Sequence, residues 1–192
     1  MATQARTGTV IISTVLVTLV AIAALGYWAL VSGALPANAD ARPGGLERWA
    51  AHTSLGATIA SAVTSLHDSL PTTDSVLVAG VHLYGANCAV CHGTSDGQPS
   101  TIAIGLYQHA PQFAKHDVSD DPVEETYWKI THGIRLTGMP SYSRTLSEPQ
   151  RWAIAKFLRH QDSLPPVALA AWKALPSAAI DNGNGPIAPA AR

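Results

Sequence analysis

The stretch that decides the reading is Asn87-Cys88-Ala89-Val90-Cys91-His92-Gly93. It contains both cysteines of the chain, so no disulfide framework is available. Two thiols three residues apart, followed at once by a histidine, have the C-x-x-C-H form of a covalent haem attachment site. The spacing has a chemical reason. Thiols on one tight turn can add to the two vinyl groups of a single porphyrin, and the adjacent imidazole then faces the iron. A redox C-x-x-C belongs to a βαβ setting, and no strand pattern precedes Cys88. Structural zinc needs two more ligands at regular spacing, whereas His52, His67, His82, His109, His116, His132 and His160 are scattered.

Haem iron either takes a sixth ligand or keeps an open position, and that choice separates electron carriers from enzymes and gas binders. Apart from Met1, the one methionine is Met139, in Gly138-Met139-Pro140. Pro140 stiffens this loop and Gly138 permits a turn that a larger residue resists. A lone methionine otherwise fills a core gap. The Gly-Pro setting favours ligation, so His92 and Met139 are the expected iron ligands.

Outward from this centre, composition narrows the class. Apolar residues are 47% of the 192, and only 13% are charged, against about 25% for a soluble domain. That excludes an intrinsically disordered chain. The net charge of −1 gives no sign of nucleic-acid binding. No charge occurs from Thr7 to Ala39, and Val10 to Val31 is nearly continuous in Val, Ile, Leu and Ala. A helix over residues 10–31 reaches about 33 Å, enough for a hydrocarbon core of about 30 Å. Tyr27 and Trp28 then lie at headgroup level. Ala37-Asn38-Ala39 has the form of a signal cleavage site, but the apolar run exceeds a signal's usual ~7–15 residues. A retained single-span anchor is therefore expected.

The remainder reads as all-helical. Leu55, Ile59, Val63, Leu66 and Leu70 keep a spacing of three and four up to Pro71. This predicts one connecting helix, packed on the exported domain or along the membrane surface. A second helix is expected from the Thr72-Thr73-Asp74 cap to Cys88. Residues 93–115 read as loop. Asp121, Pro122 and Glu124 predict a capped third helix ending at Gly133. Ser147 and Gln150 predict a capping box for a fourth, carrying Trp152, Ile154, Phe157 and Leu158. Val167 to Leu175 can form a short helix, and the tail after it reads as disordered.

Residues 87–93 (NCAVCHG), 127–142 (YWKITHGIRLTGMPSY) and 146–159 (LSEPQRWAIAKFLR) resemble class I c-type cytochromes. The likeness covers residues 74–160 and follows that family's order of attachment motif, loop, helix, Met loop and last helix. More narrowly, Gly105-Leu106-Tyr107 through Pro111 resembles membrane-anchored bacterial monohaem cytochromes. The resemblance implies a cytochrome c fold around one covalent haem c, held by Cys88 and Cys91, with His92 and Met139 as axial ligands. It implies a close crossing of the first and last haem-domain helices, with Gly80 and Tyr84 on the first and Trp152 and Phe157 on the last as the residues that meet. It also implies a proline carbonyl on the other ring nitrogen of His92, with Pro99 the first candidate and Pro111 the second. Tyr107, Trp128, Arg135 and Tyr142 are candidates for the haem propionates, Arg135 foremost.

The resulting expectation is an anchor over 1–39, a connecting helix over 40–71, a haem domain over 72–165 and a largely disordered tail over 166–192. The function expected is one-electron transfer, without a small-molecule substrate, by a single-pass protein of a bacterial inner membrane with its haem domain in the periplasm. The alternatives are a cytochrome subunit of a membrane dehydrogenase or terminal oxidase complex and, less favoured, a peroxidase-like or sensor domain. Lys129 to Arg159 contains six bases and one acid, so a redox partner with an acidic face is expected.

Overall fold

The computed structural model describes residues 2–115 and 118–179. The end of the expected tail, 180–192, and the loop residues 116 and 117 lie outside the described residues. The chain divides into two compact units, Met1–Ala41 and Arg42–Arg192. The first unit is dominated by α1 (Ala2–Val31). Its stretch Arg6–Val31 is long and apolar enough to cross a membrane.

The second unit contains α2 (Gly45–Val63), α3 (Asp74–Asn87), the single turn α4 (Ala89–His92), α5 (Thr101–Gly105), α6 (Val123–His132), α7 (Glu148–Arg159) and α8 (Pro166–Ala174). No strand occurs among the described residues, as the lack of period-two alternation predicts. The centre of the unit is the crossing of α3 and α7. Gly80 lies directly under the backbone of α7: an added Cβ would land on the Ala153 carbonyl oxygen and within 2.9 Å of Phe157 Cβ. This close approach lets Tyr84 meet Phe157 edge to face, with ring centroids 5.4 Å apart. Val81, Tyr84, Ile154, Ala155 and Phe157 have no exposed surface. The expected pairing of small and aromatic residues is thus made by Gly80, Tyr84 and Phe157. Trp152 turns the other way and stacks on Tyr127 of α6 at 3.9 Å.

Several local signals have the effect that chemistry predicts. Thr73 Oγ1 accepts from the Val76 N–H at 3.3 Å and starts α3. The Gln150 side chain accepts from the Ser147 N–H at 2.8 Å and starts α7.

Other signals are redirected. Asp121 does not cap α6; its carboxylate pairs with Lys129 Nζ at 3.0 Å, and Pro122 becomes the N-cap. The connecting helix stops at Val63, so Leu66 and Leu70 reach the core from a non-helical segment. Asp68 fastens this segment. One of its oxygens accepts from the Leu70 N–H at 3.0 Å, a local bond that competes with helix, and the other pairs with Lys156. Lys156 is only 6% exposed and also donates to Thr72 Oγ1 at 3.0 Å.

The boundaries expected at 71 and 165 are not compact-unit boundaries. Residues 42–71 belong to the same compact unit as residues 72–165. Part of the stretch assigned to a disordered tail is α8, whose Trp172 closes an aromatic cluster with Tyr84 and Phe157 at 5.5 and 5.3 Å.

The crossing at Gly80 has no room for a methyl group. Gly80→Ala is expected to cost about 3 kcal/mol through overpacking, measured as a lower denaturant midpoint at unchanged m-value.

Candidate haem site

Helix α3 delivers the attachment motif. Its last turn continues through Cys88, whose N–H donates to the Tyr84 carbonyl at 2.8 Å. The chain then makes the turn α4, with the Cys91 and His92 N–H groups both donating to the Cys88 carbonyl at 3.0 and 2.9 Å. Residues three and four apart share a helical face, so this turn gathers Cys88, Cys91 and His92. Cys88 and Cys91 are not joined to each other by a disulfide. Gly93 ends the turn with φ +76, in the left-handed region open to glycine. The Tyr84 hydroxyl donates to the Gly93 carbonyl at 2.7 Å and fixes the exit.

The following loop returns beneath the histidine. His92 Nδ1 lies 2.9 Å from the Pro111 carbonyl. As the donor of that bond, Nδ1 carries the ring proton, which leaves a lone pair on Nε2. Phe113 stacks on the imidazole at 4.5 Å and 3°, and Gln112 Nε2 donates to the Cys91 carbonyl at 2.9 Å. Burial lowers the His92 pKa, partly offset by the bond to Pro111, which favours the neutral ring that metal ligation requires. Pro111 therefore occupies the position for which Pro99 was the first candidate. Pro99 precedes Ser100, which caps α5 by accepting from the Ala103 N–H at 3.0 Å and also donates to the Val90 carbonyl. The chain comes back under His92 only after α5.

Met139 sits in a folded-back loop after α6. Gly133, with φ +67, has no space for a side chain: a Cβ would be 2.6 Å from the Pro140 carbonyl carbon and 2.7 Å from the Met139 oxygen. The Ile134 N–H donates to the Met139 carbonyl at 3.2 Å, and the Met139 N–H to Thr137 Oγ1 at 3.1 Å. Ser141 Oγ then donates to the Thr131 carbonyl at 2.7 Å. Three residues past Met139, the Tyr142 hydroxyl donates to the Asn87 carbonyl at 2.7 Å. This bond joins the Met139 loop to the residue immediately before Cys88. Cys88, Phe113, Met139 and Tyr142 all pack against the same buried cluster.

A family model described as cytochrome C oxidase, cbb3-type, subunit III matches residues 76–158. The region carries a class I c-type cytochrome domain. No curated protein and no solved structure shows significant similarity to the chain. The match spans less than half of the 192 residues and so identifies the domain. A cytochrome of this class transfers electrons through one covalently bound haem c. The residues present fit that group: two thiols on one turn, a neutral imidazole with Nε2 free, and a thioether on a loop tied to the same turn.

The propionate candidates divide. Tyr142 and Tyr107 spend their hydroxyl protons on Asn87 and on the Glu47 carboxylate, the latter at 2.7 Å. Trp128 lies against His132, with ring centroids 4.9 Å apart. Arg135 is exposed on the Met139 loop. Among the bases of the expected docking stretch, Arg151 and Lys156 are buried, and Lys129 is paired with Asp121. The exposed bases there are Arg135, Arg144 and Arg159. Sequence reasoning missed Gln112, Phe113 and the Tyr142–Asn87 link. All three depend on where loops meet, and no local pattern encodes that.

Burial raises the Tyr142 phenol to about 12. A phenol with a raised folded-state pKa stabilises the fold below its unfolded pKa of about 10. That contribution is lost as pH climbs through the folded value. Stability should therefore fall between about pH 10 and 12. Tyr142→Phe should show a shallower fall than the parent protein in denaturant midpoints collected across that range.

Proposed function

We propose that Cys88 and Cys91 hold the haem by two thioether bonds, with His92 Nε2 and Met139 Sδ as axial ligands. The observation that carries this reading is the Tyr142–Asn87 hydrogen bond, which ties the Met139 loop to the attachment turn. Bound there, haem c supplies a one-electron ferrous/ferric couple, and a thioether ligand favours the reduced form. The chain's own residues keep ligands and solvent in order. Pro111 holds the His92 proton on Nδ1, Thr137 holds the Met139 backbone, and Tyr84, Phe157 and Trp172 close the interior to water. With both ends of the ligand pair held by fixed loops, no position is reserved for a substrate. Arg135, exposed and close in sequence to Met139, is the proposed cation for a propionate.

In this reading α1 anchors the chain in a bacterial inner membrane, and the haem domain works on the periplasmic side in a redox chain. The length and apolar character of Arg6–Val31 support the anchor. A second reading, a cytochrome subunit of a terminal oxidase complex, is favoured by the oxidase-subunit description of the matching family model. Detergent extraction with analysis of co-purifying chains separates the two.

Haem staining on a denaturing gel tests the attachment: Cys88→Ala with Cys91→Ala should abolish it. Met139→Ala should keep the stain, lose the thioether–iron absorption band and bind carbon monoxide in the ferrous state. A parent protein that is high-spin or binds carbon monoxide would sink the carrier reading.

Arg135 and Arg144 are exposed, and no acid occurs from Thr126 to Ser147. An acidic partner face fits this surface, so the rate of transfer to the physiological partner should fall as ionic strength rises.

A further inference from the structure

Helix α2 is the element to which neither the motif nor the ligand set assigns a task. Ile59 is its only buried residue, yet both ends of the segment 45–72 are fastened. Beyond its C-terminus, Leu66 and Leu70 border the core and Asp68 pairs with the buried Lys156. At its N-terminus, Glu47 accepts the hydrogen bond from Tyr107 across sixty residues of sequence. Tyr107 directly follows Leu106, and Leu106 presses on the Met139 loop. A Cβ on Gly138 would be 2.5 Å from Leu106 Cδ2. Helix α2 also contacts α6, the helix from which that loop departs.

The loop gains from an external restraint. Leu136 has φ +61, the one positive φ of a non-glycine residue among those described. That conformation costs an L-residue energy, so part of the loop's own stabilisation is consumed internally.

We infer that residues 45–72 form a strap that holds the Met139 loop closed, with Glu47 and Tyr107 as positioning residues for Met139. The inference rests on Met139 being the sixth ligand. The line of contact runs from the Glu47 carboxylate to the Tyr107 hydroxyl, through the neighbouring Leu106 side chain to Gly138, and so to Met139. Releasing the first bond frees Leu106 to move and raises the fraction of molecules in which the loop is open.

Imidazole reads that fraction. It binds ferric iron only where Met139 has left, and its apparent Kd varies inversely with the open population. The experiment titrates imidazole into the full-length ferric holoprotein in detergent and follows the thioether–iron band. Tyr107→Phe and Glu47→Ala should each lower the apparent Kd about three- to tenfold, the scale of one hydrogen bond. The double variant should lower it no further than either alone. Glu47→Gln keeps an acceptor oxygen and should stay near the parent value. Glu47 is exposed, so its variants do not endanger folding. A merely structural contact would shift the thermal unfolding midpoint and leave the native-state Kd unchanged. A Kd within twofold of the parent in both Tyr107→Phe and Glu47→Ala overturns the strap. Absence of the thioether–iron band in the parent protein overturns the Met139 ligation instead.

Discussion

Tyr84 is the residue on which the rest of the structure turns. It is wholly buried, and its ring meets Phe157 of α7, Trp172 of α8 and Phe113 of the returning loop. Its hydroxyl donates to Gly93, the residue that ends the attachment turn. One side chain thus joins the helix crossing, the C-terminal helix and the haem motif. A tyrosine suits this position because it adds a large apolar ring and one polar atom that needs only a single partner. Burial pushes its phenol pKa well up, so the donor persists across the ordinary pH range. Gly80, one turn earlier, lets α7 come close enough for the ring to be covered.

The two buried cations show a second constraint. Arg151 is 9% exposed and has no carboxylate partner among the described residues; it donates to the Leu146 carbonyl and to the Tyr127 hydroxyl, and it lies over the Tyr127 ring. Lys156 is covered and paired with Asp68. Both occur on α7, where a charge count along the sequence assigns them to a docking surface. A buried charge is tolerated when it is hydrogen-bonded, and each finds its partners by fastening a separate segment, although Arg151 Nε has no partner among the described residues. Arg151 ties α7 to α6, and Lys156 ties α7 to the chain between α2 and α3. Charge in this domain therefore works partly as internal fastening, and the surface facing a redox partner is less basic than its stretch of sequence.

How far the site can be read in the sequence follows from how local each part is. The attachment turn is legible because Cys88, Cys91 and His92 are within five residues and their chemistry demands that spacing. The Met139 loop is only partly legible, since Gly133 has a positive φ and no room for a Cβ, whereas Gly138 is limited by the Leu106 side chain from a distant loop. The proline beneath His92 is not legible, because Pro99 and Pro111 look alike along the chain. Their difference arises when Ser100 caps α5 and draws Pro99 away. The strap is invisible for the same reason, since Glu47 and Tyr107 share no pattern that links them.

The sequence by itself determined the helical class, the apolar N-terminal segment, the c-type cytochrome domain and the candidate residues for its haem. Those are matters of periodicity, composition and short-range spacing, and each is set within a few turns of chain. Tertiary structure decided where the domain ends, which aromatic ring meets which, which bases are buried, and which carbonyl holds His92. It brought α8 and residues 42–71 into the compact unit that contains the cytochrome domain. The physical reason is that buried apolar area and satisfied polar groups are properties of the assembled interior. A residue such as Trp172 or Asp68 acquires its partner only when segments distant in sequence close over the same core.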